Sequence, residues 1–193
     1  MLKKTLLTLV LCYSFNLHAF ELLQVSTLDQ DSVGSNSSAQ LTRFNAKFPD
    51  IELLDHRNQS VVLNELFDDR KNVIFAFFFT HCVSVCTTIT LSLKSIQDDL
   101  PPDTMIVMIS IDPDTDTPDL LSSYATRHRI DDPNWYLLTG VNEQIVDFQK
   151  DFEAYRGNKM NHTTSLFVKQ SNSDVITEFK SDFSKIPDFL KNS

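Results

Sequence analysis

Val73-Ile-Phe-Ala-Phe-Phe-Phe79 is an apolar run without a break, closed by Thr80. A strand with one wet face alternates apolar and polar residues. A continuous run instead implies a strand buried on both faces, inside a sheet covered by helices above and below. The neighbouring residues fit such a sheet. Val85, Ile89, Leu93, Ile96 and Leu100 recur at steps of four, four, three and four, which is one face of a helix. Pro101 and Pro102 stop it. Met105–Ile111 is a second apolar run, so the segment reads as strand, helix, strand, with a right-handed crossover.

Around this unit the same logic places the other elements. Ile51–Leu54 and Ser60–Leu63 flank the turn-rich Asp55–Gln59 and predict a β-hairpin. Thr117-Pro118-Asp119 combines a capping hydroxyl, a proline for the first helical position and an acid for the first turn, ahead of Leu120, Leu121, Tyr124 and Ala125. Trp135–Leu138 is a short strand. Asn142 is placed to cap a helix through about Tyr155 that turns Ile145, Phe148 and Phe152 inward. Thr163–Val168 and Val175–Phe179 alternate around a turn at 170–174, and Ser184 is placed to cap a last helix carrying Ile186, Phe189 and Leu190. The expected fold class is α/β: a thioredoxin-like three-layer fold with an N-terminal β-hairpin and a C-terminal ββα.

At 193 residues the chain suits one such domain. Residues 1–19 read as an export signal, with Lys3 and Lys4 ahead of an apolar stretch too short to span a bilayer and Ala19 before the cleavage point. Cys12 reads as an apolar residue of that signal, because Leu9-Val10-Leu11 lacks the small residues that precede a lipidated cysteine. Residues 20–47, dense in Ser, Gln, Asn and Asp, read as a flexible arm, which leaves 48–193 as the folded domain. The formal charge is −9, and loss of Lys3 and Lys4 with the signal makes it −11. Such a polyanion repels phosphate backbones, which argues against nucleic acid as a partner. The expected location is the periplasm or the periplasmic face of a membrane.

Export would leave two cysteines, Cys82 and Cys86, at the strand–helix junction where open α/β sheets carry their sites. A bridge across so short a loop contributes little stability, so chemistry explains the pair better than stapling does. A spacing of four in the first helical turn sets both sulfurs on one side. The helix N-terminus lowers thiol pKa and favours thiolate, which is both nucleophile and metal ligand. Two thiolates select copper(I), and an added imidazole tolerates copper(II). Structural zinc would require four protein ligands. Of the histidines, His18 leaves with the signal, His56 sits in the hairpin turn as a solvated residue, and His128 complements the dipole at a helix C-terminus. His81 adjoins Cys82, where it is either a tuning group or a solvent-facing loop residue. His162 precedes a strand. A lone loop histidine is ordinarily a surface residue, but in a thioredoxin-like fold that loop faces the cysteine loop, and both readings stand. Met160 is a soft donor that packing would equally explain. Asp112, Asp114 and Asp116 imitate a calcium loop, but Thr117 and Ser123 occupy its Gly and Glu positions. The acids instead brake the strand, cap the next helix and set charge near the cysteines.

Phe79-Thr80-His81-Cys82-Val83-Ser84-Val85-Cys86, then Ser110-Ile111-Asp112-Pro113-Asp114-Thr115-Asp116-Thr117-Pro118, then His162-Thr163, resemble the Sco/SenC family of copper proteins in order and content over about residues 48–190. Val83 and Thr87 stand where the family has prolines, and Asn161 where it has Asp. The resemblance implies copper, as Cu(I) or Cu(II), held by Cys82, Cys86 and His162. It also implies a role in maturing the copper centre of cytochrome c oxidase. The expected partner is subunit II of that enzyme or another copper- or thiol-bearing respiratory protein, in proximity to a membrane. On this reading the chain is a metallochaperone rather than an enzyme. The alternatives are a thiol-disulfide oxidoreductase using Cys82 and Cys86 as its catalytic pair, and a copper or redox sensor.

Overall fold

The computed structural model describes residues 42–45, 48–102 and 104–192. The export signal, Cys12, His18 and most of the arm lie outside them. The elements in chain order are β1 (Thr42–Asn45), β2 (Glu52–Asp55), β3 (Ser60–Val62), α1 (Leu63–Leu66), β4 (Val73–Phe78), α2 (Val85–Ile96), β5 (Met105–Ser110), α3 (Pro118–His128), β6 (Trp135–Thr139), α4 (Asn142–Asp151), β7 (Leu166–Lys169), β8 (Val175–Phe179) and α5 (Ile186–Lys191). One eight-stranded sheet runs in the order β1-β8-β7-β4-β5-β6-β2-β3. Strands β4, β5 and β6 are parallel; the other pairings are antiparallel.

Every residue of β4 and β5 is buried, as the apolar runs require. The pleat divides β4 between two cores. Ile74, Ala76 and Phe78 join a cluster with Ile89 and Leu93 of α2, Leu121 and Tyr124 of α3, and Ile186 and Leu190 of α5. Val73, Phe75 and Phe77 join Leu63 and Leu66 of α1 and Phe148 of α4 on the other face. The second core is aromatic, with Phe75 stacked on Phe167 at 4.9 Å and crossed edge-on by Phe152 at 4.9 Å. This is the expected three-layer α/β arrangement.

Some local expectations are corrected. Strand β1 draws four residues of the presumed arm into the sheet, because Phe44 packs on Phe152 and Phe167 at 5.5 and 5.9 Å while its backbone pairs with β8. Thr117 caps α3 as expected, accepting the Leu120 N–H. Asn142 does not cap α4: it is the first helical residue, and its amide donates to Asp114 Oδ2 at 2.9 Å. That helix ends at Asp151, where Phe152 turns into the core and Glu153 takes a left-handed φ of 51°. Ser184 donates to Asp182 Oδ1 instead of capping α5. His56 is buried rather than solvated, because β2 pairs with β6 and the Leu137 N–H donates to His56 Nδ1 at 3.3 Å. His128 stacks on Tyr124 with ring centres 4.2 Å apart. Burial, and then Arg127 and Lys94, lower its pKa, so it is a poor carrier of dipole-complementing charge.

Candidate metal centre

At the C-terminal end of β4 the chain turns through Phe79 and Thr80, and the Cys82 N–H donates to the Phe79 carbonyl at 3.2 Å. Helix α2 starts at Val85, so Cys86 occupies its first turn and the Cys86 N–H donates to Cys82 Sγ at 3.3 Å. Both cysteines are buried and free. Their environments differ. Burial raises the Cys82 pKa, but hydrogen bonds from Cys86 and Ser84 outweigh it and the net direction is down. Burial drives the Cys86 thiol far up, and the negative charges of Cys82 and Asp116 add to that. Under Cys86 the Thr90 hydroxyl donates to the Cys86 carbonyl at 3.0 Å and meets Tyr124 Oη at 2.8 Å.

His162 closes the group. Its Nε2 lies 3.1 Å from Cys86 Sγ and 3.8 Å from Cys82 Sγ. The three donor atoms fall within 4.8 Å of one another, and this is the one such group among the described residues. His162 Nδ1 lies 2.7 Å from the Lys159 carbonyl oxygen. A carbonyl only accepts, so Nδ1 carries the proton, and neutral imidazole presents a bare Nε2 lone pair to the sulfurs. The Phe79 ring meets the imidazole edge-on at 5.3 Å. Two sulfurs and an unprotonated ring nitrogen fit a soft or borderline metal ion such as copper.

The loop of acids between β5 and α3 does more than the sequence indicated. Asp116 is fully buried and accepts the Thr80 N–H at 3.0 Å, the Thr80 hydroxyl at 2.5 Å and the Ser110 hydroxyl at 2.6 Å. It thereby fixes the base of the cysteine loop. Asp112 Oδ2 pairs with Lys159 Nζ at 2.5 Å. None of the three acids caps α3; Thr117 does. Lys159 carried no signal in the sequence, since its importance arises from contacts across the fold. His81 stays outside the group, exposed, with Nδ1 3.2 Å from Thr80 Oγ1. Met160 is 69% exposed, which corrects the packing explanation for it.

A sequence model of the SCO1/SenC family matches residues 38–188. A SCO1 protein homolog of Bacillus subtilis is 32% identical over 83 residues, 40% of this chain and 43% of that protein. The chain thus spans under half the length of that relative. The crystal structure of a SCO1/SenC family lipoprotein from Bacillus anthracis superposes with a TM-score of 0.66 at 25% identity, covering 78% of this chain and 96% of the other. That of Arabidopsis thaliana ScoI with copper bound superposes at 0.59 with 21% identity, covering 76% and 97%.

Proposed function

Because the chain belongs to the SCO1/SenC family, we propose that it is a copper metallochaperone holding one copper ion through Cys82 Sγ, Cys86 Sγ and His162 Nε2. The observation that carries this is the convergence of those three atoms within 4.8 Å. The proton on Nδ1 aims the Nε2 lone pair at the sulfurs. Bound there, copper would supply one-electron redox chemistry and an exchangeable load. The chain's own residues position the donors: Asp116 holds the cysteine loop and α2 directs an amide at Cys82 Sγ.

The Sco family is one of cytochrome c oxidase assembly proteins. The proposed recipient is accordingly the copper centre of that oxidase, at subunit II, or another copper- or thiol-bearing respiratory protein. An export signal over 1–19 would place the site on the periplasmic side, ahead of a folded domain that includes β1 from Thr42. Among the described residues no helix is long and apolar enough to cross a membrane. The test is native mass spectrometry with and without copper on the wild type and on Cys82→Ala, Cys86→Ala and His162→Ala. One copper per wild-type chain, lost in all three variants, is the expected result; copper retained by His162→Ala at wild-type affinity removes that ligand.

One observation favours a second reading, a thiol-disulfide oxidoreductase. Cys82 Sγ accepts the Cys86 N–H at 3.3 Å, which helps lower its pKa, while burial raises that of Cys86, an asymmetry that suits an attacking and a resolving thiol. Reduction of a partner disulfide would then require both cysteines and be indifferent to His162.

A further inference from the structure

Little packing holds the segment that leads into His162, although the His162 ring itself rests against Phe79. From Tyr155 to Asn161 every residue is exposed. A cavity of about 310 Å³ opens beside this segment, lined in part by Asn142, Gln149, Tyr155 and Arg156. Lys150 of α4 lies over the Tyr155 ring at 5.8 Å, and the ties nearest His162 converge on Lys159. Its carbonyl accepts the His162 Nδ1–H at 2.7 Å. Its ammonium pairs with Asp112 Oδ2 at 2.5 Å and sits 5.7 Å from the centre of the Phe79 ring, the same ring that meets the imidazole. The Asp112 end is firm: its side chain is 13% exposed, its N–H donates to Ser110 Oγ at 3.1 Å, and its carbonyl accepts the Asp116 N–H at 2.8 Å.

We propose that the Asp112–Lys159 ion pair is a latch that sets His162 Nε2 against the two cysteine sulfurs. The latch presupposes the copper site of Cys82, Cys86 and His162. Residues 112–116 then secure both halves of the centre, Asp116 holding the cysteine loop and Asp112 the histidine loop. Asp112 and Lys159 are positioning residues. They act through the Lys159 carbonyl, whose place fixes the direction of the Nδ1–H bond and therefore of the opposite ring nitrogen. Where little packing restrains a segment, an ion pair with one firmly held partner limits the conformations that must be given up when the ligand set closes.

The test uses apo-protein melting temperature, Cu(II) affinity by competition titration, and the electron paramagnetic resonance spectrum of the Cu(II) form. The variants are Lys159→Met, Asp112→Asn, Lys159→Arg, His162→Ala and the charge-reversed pair Asp112→Lys with Lys159→Asp. Lys159→Met and Asp112→Asn are expected to weaken Cu(II) binding roughly tenfold, the scale of a lost outer-shell partner. Their spectra should move toward that of His162→Ala while the apo-protein melts as the wild type does. Lys159→Arg and the reversed pair are expected to recover affinity and spectrum. Wild-type affinity and spectrum in both single variants, with His162→Ala impaired, overturns the latch and leaves the copper centre standing. So does a reversed pair no better than the singles, or an affinity loss that tracks a lowered apo melting temperature. If His162→Ala itself behaves as the wild type, the ligand set fails and the latch falls with it.

Discussion

His162 Nε2 and Cys86 Sγ come within 3.1 Å across 76 positions of sequence. The Lys159 carbonyl holds the Nδ1–H, so in the neutral ring the atom facing the sulfur is a lone pair rather than a donor. Loss of this nitrogen is expected to hurt Cu(II) more than Cu(I), since imidazole suits the harder oxidation state and two thiolates suffice for the softer one. His162→Ala should weaken Cu(II) by more than the roughly 10–100-fold of an outer-shell change, with a smaller effect on Cu(I). Competition titrations in the two oxidation states check this; equal losses for both ions would contradict it.

The two thiols should differ in reactivity with pH. The Cys82 pKa is lowered, so its alkylation rate should rise as pH climbs through a range below that of an ordinary thiol and then level off. The Cys86 pKa is raised and its side chain is fully buried, so it should stay unmodified while the domain is folded. Peptide mapping after short iodoacetamide pulses between about pH 5 and 9 would show one labelled site. Similar labelling of both cysteines at neutral pH would refute the asymmetry.

The fold was legible where a local pattern carried it: the unbroken run of β4, the helical spacing of Ile89, Leu93 and Ile96, and the Thr117-Pro118 helix start. It was not legible where tertiary contact decided. Phe44 is one aromatic in a polar stretch, and nothing local says that it meets Phe152 and Phe167. His56 follows an Asp in a tight turn, and its burial depends on β6 lying alongside. The cysteines declared themselves by spacing, whereas His162 needed the fold to bring its loop across. Lys159 and Asp112 are 47 positions apart, and only the structure pairs them.

Asp116 is where a single exchange should damage both stability and site. Its carboxylate serves the Thr80 N–H, the Thr80 hydroxyl and the Ser110 hydroxyl in a fully buried place. Asp116→Ala strands these donors, at a cost of about 2–4 kcal/mol. Asp116→Asn keeps the shape and some of the bonding and should cost less. Urea unfolding of the apo-protein measures both. An Asp116→Ala loss below about 1 kcal/mol would show that the donors find other partners.

The buried His56 should make stability fall on the acid side of neutrality. Burial lowers its pKa first, the Arg57 charge lowers it further, and Asp55 only partly opposes them. The unfolded chain therefore binds a proton more readily than the folded one below the ordinary histidine value of about 6.5. Stability is intact above that value and drops as pH falls toward the lower folded-state pKa, by at most about 1.4 kcal/mol per pH unit for one group. His128 is shifted the same way, by burial and then by Arg127 and Lys94, and adds to the trend. The Leu137 N–H donates to His56 Nδ1, so His56→Asn keeps an acceptor near that position while removing the titration. Unfolding free energies of the wild type and His56→Asn between about pH 5 and 8 should converge in slope above about 7 and separate below about 6.5, the variant being the flatter. Parallel curves across the whole range would mean that His56 takes up its proton without loss of structure.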